Sequence, residues 1–180
     1  MKKSQYNIIV SGFGGQGVLF LGTVISEAAI FENKNTTWIP SYGAEMRGGS
    51  ANCYVIVSDK EIASPVFDFA DIGIFLSKQA IIKFENSIEK NGFVLANSSM
   101  TGEVKSRKDI TYVFKPLNDI LSKEKEKFLL NIVALGALIK KTGILQKENV
   151  IKALEKVSSI KKPEFLKVNL SSFEFGYNLA

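Results

Sequence analysis

A three-layer α/β/α fold with a mostly parallel sheet, one hairpin insertion and a helical C-terminal part is predicted by three features of this sequence. Short β-branched runs alternate with helix-period segments as far as Lys115, the pattern of strands joined by crossovers. A glycine-rich turn, Gly12 to Gly17, lies between the first strand and the first helix. Beyond Pro116 the strand runs stop and only helical periodicity continues. At 180 residues, 46% hydrophobic and 23% charged, the chain is large enough to bury its own core, and residues 1–180 read as a single domain.

Taken in order, Asn7-Ile8-Ile9-Val10 is a buried strand ended by Ser11-Gly12. From Gln16 onward, Val18, Leu19, Leu21, Ile25, Ala28 and Ala29 recur at helical spacing, with Gly22 allowing close packing on the sheet. Asn33-Lys34-Asn35 ends that helix, and Thr36 to Ile39 is a second strand stopped by Pro40. Strand, helix and strand in succession imply a right-handed parallel crossover. A loop with three glycines runs from Ser41 to Ser50. Asn52 to Val57 reads as a strand, Ser58-Asp59-Lys60 as a turn and Glu61-Ile62-Ala63 as the return strand of a hairpin.

Ile72 to Leu76 is the next buried strand, followed by an amphipathic helix from about Gln79 to Ile88. Asn91-Gly92 marks a turn before the strand Phe93 to Ala96, and Ile110 to Phe114 is a further strand. Lys123 to Lys141 is predicted as one long helix, apolar almost all round in its second half and so buried. Glu148 to Val157 carries Val150, Ile151, Leu154 and Val157 on one stripe. The tail from Pro163 holds Phe165, Leu166, Val168, Leu170, Phe173 and Phe175, which predicts a docked helix.

Composition excludes several functions. The one cysteine, Cys53, and the absence of histidine remove a disulfide framework, the usual general base, a zinc site and an iron–sulfur cluster built by this chain alone. Any redox metal belongs to a partner. The N-terminus runs into a strand and not into a signal sequence. The longest apolar run, Phe128 to Ile139, is broken by Asn131 and Gly136 and too short to span a bilayer. These features predict a cytoplasmic protein without membrane association. The net charge of +5 lies mainly on lysines of the helical C-terminal part, which read as solvated helix faces or as a surface for an acidic partner. No aromatic–basic nucleic-acid motif accompanies them.

Gly12-Phe13-Gly14-Gly15-Gln16-Gly17 fits G-x-G-x-x-G between a strand and a helix, which makes the sheet Rossmann-like. Gly12 permits the tight turn, Gly14 removes a side chain from the path of a ligand, and Gly17 lets the helix start close to the strand. The helix N-terminus offers N–H groups and partial positive charge to an anion. The alternative is a glycine turn that only packs tightly. Where a dinucleotide fold places an acidic residue after its second strand, this chain has Trp38-Ile39-Pro40-Ser41, which argues against simple NAD binding. There is no G-x-x-x-x-G-K-[ST] loop for a nucleoside triphosphate.

Ligands of parallel sheets sit beyond the carboxyl ends of strands. Ser11–Gly17, Ser41–Ser50, Asn97-Ser98-Ser99 and Ser77-Lys78 fall there. The candidate binding residues are Gly12, Gly14, Gly15, Gln16, Gly17, Ser41, Arg47, Gly48, Gly49, Asn97 and Ser98. Arg47, the only basic residue between Lys34 and Lys60, either clamps a phosphate or carboxylate or pairs with Glu45. No nucleophile–base pair stands out, and no residue is assigned as catalytic. Cys53 faces into the sheet. Asn131, inside an apolar helix, must find a partner and reads as packing or interface specification.

Three stretches together resemble the gamma subunit of 2-oxoacid:ferredoxin oxidoreductases: Gly12 to Val18, Pro40-Ser41-Tyr42-Gly43-Ala44-Glu45-Met46-Arg47-Gly48-Gly49-Ser50-Ala51-Asn52-Cys53, and Val94 to Ser99. The likeness runs nearly the whole length and includes Asn131 to Gly136. Its Glu-Met-Arg-Gly-Gly form is similar to the 2-oxoglutarate or branched-chain type more than the pyruvate type. Ala44 departs from the proline expected there, which bears on the stiffness of the loop.

The resemblance implies a coenzyme A-dependent oxidative decarboxylation of anaerobic metabolism, yielding an acyl-CoA and carbon dioxide. Thiamine diphosphate, Mg and iron–sulfur clusters are then expected on partner subunits of alpha, beta and delta type, with ferredoxin as the acceptor. This chain would share in a coenzyme A or substrate-side cleft and bind no cofactor alone. The contrasting reading is a stand-alone nucleotide- or anion-binding module without catalysis.

Overall fold

The computed structural model describes residues 3–42, 49–102, 107–161 and 163–180. Its strands are β1 (Gln5–Phe13), β2 (Asn35–Tyr42), β3 (Ser50–Ser58), β4 (Ala70–Phe75), β5 (Ile88–Asn97) and β6 (Thr111–Lys115). Its helices are α1 (Val18–Phe31), α2 (Lys78–Phe84), α3 (Ser98–Thr101), α4 (Leu117–Leu121), α5 (Leu130–Thr142), α6 (Lys147–Lys161) and α7 (Leu166–Leu179).

The strands form one six-stranded sheet in the order β2-β3-β1-β4-β5-β6. The pairs β1–β4, β4–β5 and β5–β6 are parallel, while β3 runs antiparallel to both β1 and β2. The period-2 alternation of β1 sorts its side chains: Ile8 and Val10 face one core, Ile9 the other. The larger core holds α1, α5, α6 and the centre of α7, and the smaller core holds α2. Helices therefore cover both faces of a mostly parallel sheet, as expected.

The hairpin is present, but its strands are β2 and β3, not Asn52–Val57 and Glu61–Ala63. Each strand has only two edges. Those of β3 are taken by β2 and β1, so Glu61–Ala63 has nothing to pair with and is not a strand. The crossover from β1 through α1 to β2 is parallel, with β3 inserted between them. Pro40 does not stop β2, which continues to Tyr42 with Pro40 opposite Cys53. β2 lies at the sheet edge, where a missing N–H need not break the ladder.

Asn91-Gly92 likewise lies inside a strand. The register jumps from Ala70 opposite Ile88 to Ile72 opposite Phe93, so the predicted turn is a bulge, with Asn91 at φ 63. The helix after β4 ends at Phe84, because Ile88 is needed as the first residue of β5.

The long helix predicted from Lys123 begins only at Leu130. Lys123, Glu124, Lys125, Glu126 and Lys127 are all exposed and offer no apolar stripe to pack a helix in place. From Ile132 to Ile139 the helix is buried all round, as expected. Its axis lies so close to α7 that a side chain on Gly136 or on Gly176 would overlap the other helix's backbone. The tail is a docked helix with Phe173 fully buried.

Candidate functional site at the carboxyl rim of the sheet

Strands β1, β4, β5 and β6 all end on the same rim, so Phe13, Phe75, Asn97 and Lys115 mark one edge of the molecule. Because β3 is antiparallel, its first residue, Ser50, meets the last of β1, Phe13. The turn after β1 is thereby joined to the end of the loop before β3: the Gly14 N–H donates to the Gly49 carbonyl at 2.9 Å. Gly14 and Gly15 are exposed. Arg47 and Gly48, with Glu45, lie outside the described residues.

The glycines have distinct duties. Gly12 is still in β1, and its missing side chain makes room for Gln16: a Cβ there would lie 2.5 Å from Gln16 Oε1. Gln16 folds back over it, accepting from the Phe13 N–H at 2.6 Å and donating from Nε2 to the Leu76 carbonyl at 3.3 Å. One side chain thus closes the turn and ties β1 to the end of β4. Gly15 (φ 93) and Gly17 (φ 73) both use left-handed backbone. Gly17 is the N-cap of α1; it supplies no side-chain cap, and the first turn of α1 has no acidic residue. The positive end of the helix therefore faces the turn uncompensated among the described residues.

The closeness expected of Gly17 is toward a different neighbour. A Cβ there would overlap the carboxamide of Asn131 in α5, whose Nδ2 donates to the Gly17 carbonyl at 3.2 Å. The partner required by Asn131 is thus the glycine turn itself.

Ser41 belongs to β2 and sits in register with Asn52, which is opposite Ser11 on its other side. The Ser11 hydroxyl donates to Asn52 Oδ1 at 2.6 Å, making a buried polar row across the sheet just below the rim. Asn97, 1% exposed, donates from Nδ2 to Asn118 Oδ1 at 2.7 Å and accepts from the Leu117 N–H at 3.0 Å, which latches the start of α4 onto the rim. Ser98 opens α3 beside it. Ser99 Oγ donates to Asp119 Oδ2 at 3.0 Å and accepts from the Asp119 N–H at 3.2 Å. Ser77 caps α2 by accepting from the Ala80 N–H at 3.3 Å.

Cys53 is fully buried on β3, its Sγ 3.5 Å from the Val18 carbonyl. Burial pushes its thiol up to about 12, so it stays protonated and unreactive at neutral pH. The described rim thus presents the glycine turn, the N-terminal end of α1 and small polar groups. Asn118 and Asn131, which position it, came from helices; only Asn131 carried a sequence signal, as a polar residue in an apolar run.

Residues 7–179 match the family described as pyruvate ferredoxin/flavodoxin oxidoreductase. The chain is 37% identical to the 2-oxoglutarate synthase subunit KorC of Methanocaldococcus jannaschii, over 99% of this chain and 95% of that protein. Its structure is similar to the gamma subunit of a keto/oxoacid ferredoxin oxidoreductase from Geobacter sulfurreducens PCA, with TM-score 0.79 and 29% identity over 96% of each chain. The fold is also like that of the 2-oxoglutarate:ferredoxin oxidoreductase of Magnetococcus marinus, with TM-score 0.87 and 23% identity over 99% of this chain and 31% of that one.

Proposed function

The chain belongs to the pyruvate ferredoxin/flavodoxin oxidoreductase family, and we propose that it works as the gamma subunit of a 2-oxoacid:ferredoxin oxidoreductase that takes 2-oxoglutarate. The observation that carries this reading is near-full-length likeness, at 37% identity, to a 2-oxoglutarate synthase subunit. The reaction is the coenzyme A-dependent oxidative decarboxylation of the 2-oxoacid to an acyl-CoA and carbon dioxide, with ferredoxin taking the electrons. No helix among the described residues is long and apolar enough to cross a membrane, and we place the complex in the cytoplasm.

The redox cofactors do not fit this chain. A cluster needs several thiolates, and the one thiol here is enclosed between sheet and helix. We assign thiamine diphosphate, Mg and the iron–sulfur clusters to partners of alpha, beta and delta type. There thiamine diphosphate supplies the carbanion stabilisation that decarboxylation of a 2-oxoacid requires.

Coenzyme A, in contrast, is the ligand we assign to the rim. We assign one of its phosphates to the exposed turn at Gly14 and Gly15, beside the uncapped positive end of α1. Arg47, two residues before Gly49 in sequence, is the cation we assign to the same anion. Gly12, Gln16 and Gly17 hold the turn in shape, and we assign Ser41 and Ser98, at the same end of the sheet, to the border of the site. This chain would orient the thioester-forming substrate while partner chains do the chemistry.

The test is a pull-down from native anaerobic lysate, followed by a 2-oxoacid panel with coenzyme A and a viologen acceptor. Co-purification with thiamine- and cluster-binding chains and turnover of 2-oxoglutarate are expected. A stable ligand-binding monomer without partners would overturn the assignment. In the assembled complex Arg47→Ala should raise a Michaelis constant by the loss of a charged contact, about 1.5–3 kcal/mol. Unchanged constants for both coenzyme A and the oxoacid would remove Arg47 from the site. Gly14→Val should do more damage, and normal turnover by that variant would make the turn purely structural.

A further inference from the structure

On the coenzyme A reading of the rim, on which this role depends, we infer that Asn131 of α5 is a positioning residue for that ligand. It acts through Gly17: its carboxamide holds the back of the glycine turn, and the turn in that shape receives the anion.

Glycine fixes little of its own backbone, and three of the four residues from Gly14 to Gly17 are glycine. The shape of the turn therefore comes from its tethers. The front is tied to the sheet and to the loop before β3, by the Gln16 carboxamide on the Phe13 N–H and the Leu76 carbonyl and by the Gly14 N–H on the Gly49 carbonyl. The back is Gly17, the N-cap of α1, with φ 73 and ψ 24 and no side-chain cap. Its carbonyl accepts two bonds, from the Leu21 N–H at 3.0 Å and from Asn131 Nδ2 at 3.2 Å. The first lies within α1 and moves with it. The second is the one hydrogen bond among the described residues that ties Gly17 to another element.

Asn131 stands on a firm base. At the entry to α5 the Leu129 N–H donates to the Ser172 hydroxyl of α7 at 2.8 Å, and the residues from Ile132 to Ile139 are all buried. Gly136 and Gly176 let α5 and α7 approach to backbone contact. A donor held rigidly against a pliant turn is preorganisation: the order a bound phosphate requires is present before it arrives. Without that donor the ligand must impose the order itself. This weakens ground state and transition state alike, so the Michaelis constant for coenzyme A rises while kcat is kept.

The experiment uses the assembled complex with 2-oxoglutarate saturating and coenzyme A varied, then the reverse. Asn131→Leu fills similar space without a donor and should raise the Michaelis constant for coenzyme A about fivefold, the effect of one hydrogen bond. Asn131→Asp keeps the shape but sets a carboxylate against the Gly17 carbonyl; it should raise that constant about tenfold, and it carries the test alone if Asn131→Leu does not assemble. In both variants kcat and the constant for 2-oxoglutarate should stay within about twofold. Gly14→Val, measured alongside, separates the two readings. If it raises the coenzyme A constant and the Asn131 variants do not, the positioning role is overturned and the coenzyme A site stands. If none of the three raises it, the coenzyme A site falls and this role with it. A loss confined to kcat, or an equal rise in both Michaelis constants, would reduce Asn131 to a structural contact and overturn the inference.

Discussion

The carboxamide of Asn131, in the first turn of α5, donates to the carbonyl of Gly17 at 3.2 Å, joining residues 114 positions apart. The N-terminus of α1 and that of α5 are thereby pinned to each other beside the rim. Gly17 is squeezed from two sides, by its left-handed φ of 73 and by the Asn131 side chain in the space of a Cβ. Gly15 shares the left-handed backbone, but nothing lies within 4 Å of its missing Cβ. Gly15→Ala should therefore cost only the backbone strain, about 1 kcal/mol. Gly17→Ala should cost about 3 kcal/mol because overlap is added to strain. Urea denaturation of the two variants checks the order; equal losses would mean that Asn131 moves aside freely.

Gly12 and Gln16 should behave as one unit. Gly12→Ala pushes the Gln16 side chain off the Phe13 N–H and the Leu76 carbonyl. Gln16→Ala deletes the same two bonds and opens the space a methyl on residue 12 would need. Each single change should cost about 1–2 kcal/mol, and the double variant clearly less than the sum. A double-mutant cycle measures this directly. Strict additivity would show that the Gln16 carboxamide is not what fills the space over Gly12.

Asn97→Ala should weaken the latch between the rim and α4. It leaves the Leu117 N–H and Asn118 Oδ1 without their partner, at a cost of about 2 kcal/mol. Asn97→Asp keeps the acceptor for Leu117 but sets a buried carboxylate against Asn118 Oδ1, so it should protect the Leu117 amide better than Asn97→Ala without recovering the overall stability. Hydrogen exchange at the Leu117 amide reports the difference. Exchange as slow in Asn97→Ala as in the unaltered chain would contradict the latch.

Alkaline stability should carry the mark of Cys53. Burial raises its folded-state pKa from 9.0 to about 12. Between these values the folded chain keeps a proton that the unfolded chain releases, so stability is complete below about pH 9 and falls as pH rises toward 12. From pH 8 to pH 10 the loss from this thiol is about 1.4 kcal/mol. Cys53→Ala should remove that part of the pH dependence, as read by urea midpoints at the two pH values. A thiol reagent should also react with Cys53 only at the rate of unfolding. Rapid modification of the native chain would contradict both expectations.

Local chemistry made much of the fold readable. The β-branched runs of β1 and β4, the all-round apolar face of α5 and the aromatic spacing of α7 each depend only on their own residues and on the need to bury them. The glycine turn was equally visible, because left-handed backbone at Gly15 and Gly17 admits few other residues. The errors fell where pairing decides. A strand next to Asp59 looked local in sequence, yet β3 had both edges filled by β1 and β2. Pro40 looked like a stop, yet an edge strand tolerates it.

The site divides in the same way. The sequence by itself determined a glycine-rich turn at the carboxyl end of β1, the lack of histidine and of cluster-forming cysteines, and a motif block that places the chain in an oxidoreductase family. Only the tertiary structure decided that Gln16 spends both ends of its carboxamide closing the turn, that Asn97 holds α4, and that Asn131 reaches the carbonyl of Gly17. Residue types and short spacings announce backbone conformation, because that is a property of the local chain. Hydrogen-bond partners 20 to 114 residues away are settled by which helix reaches which strand, and that is known only once the layers have packed.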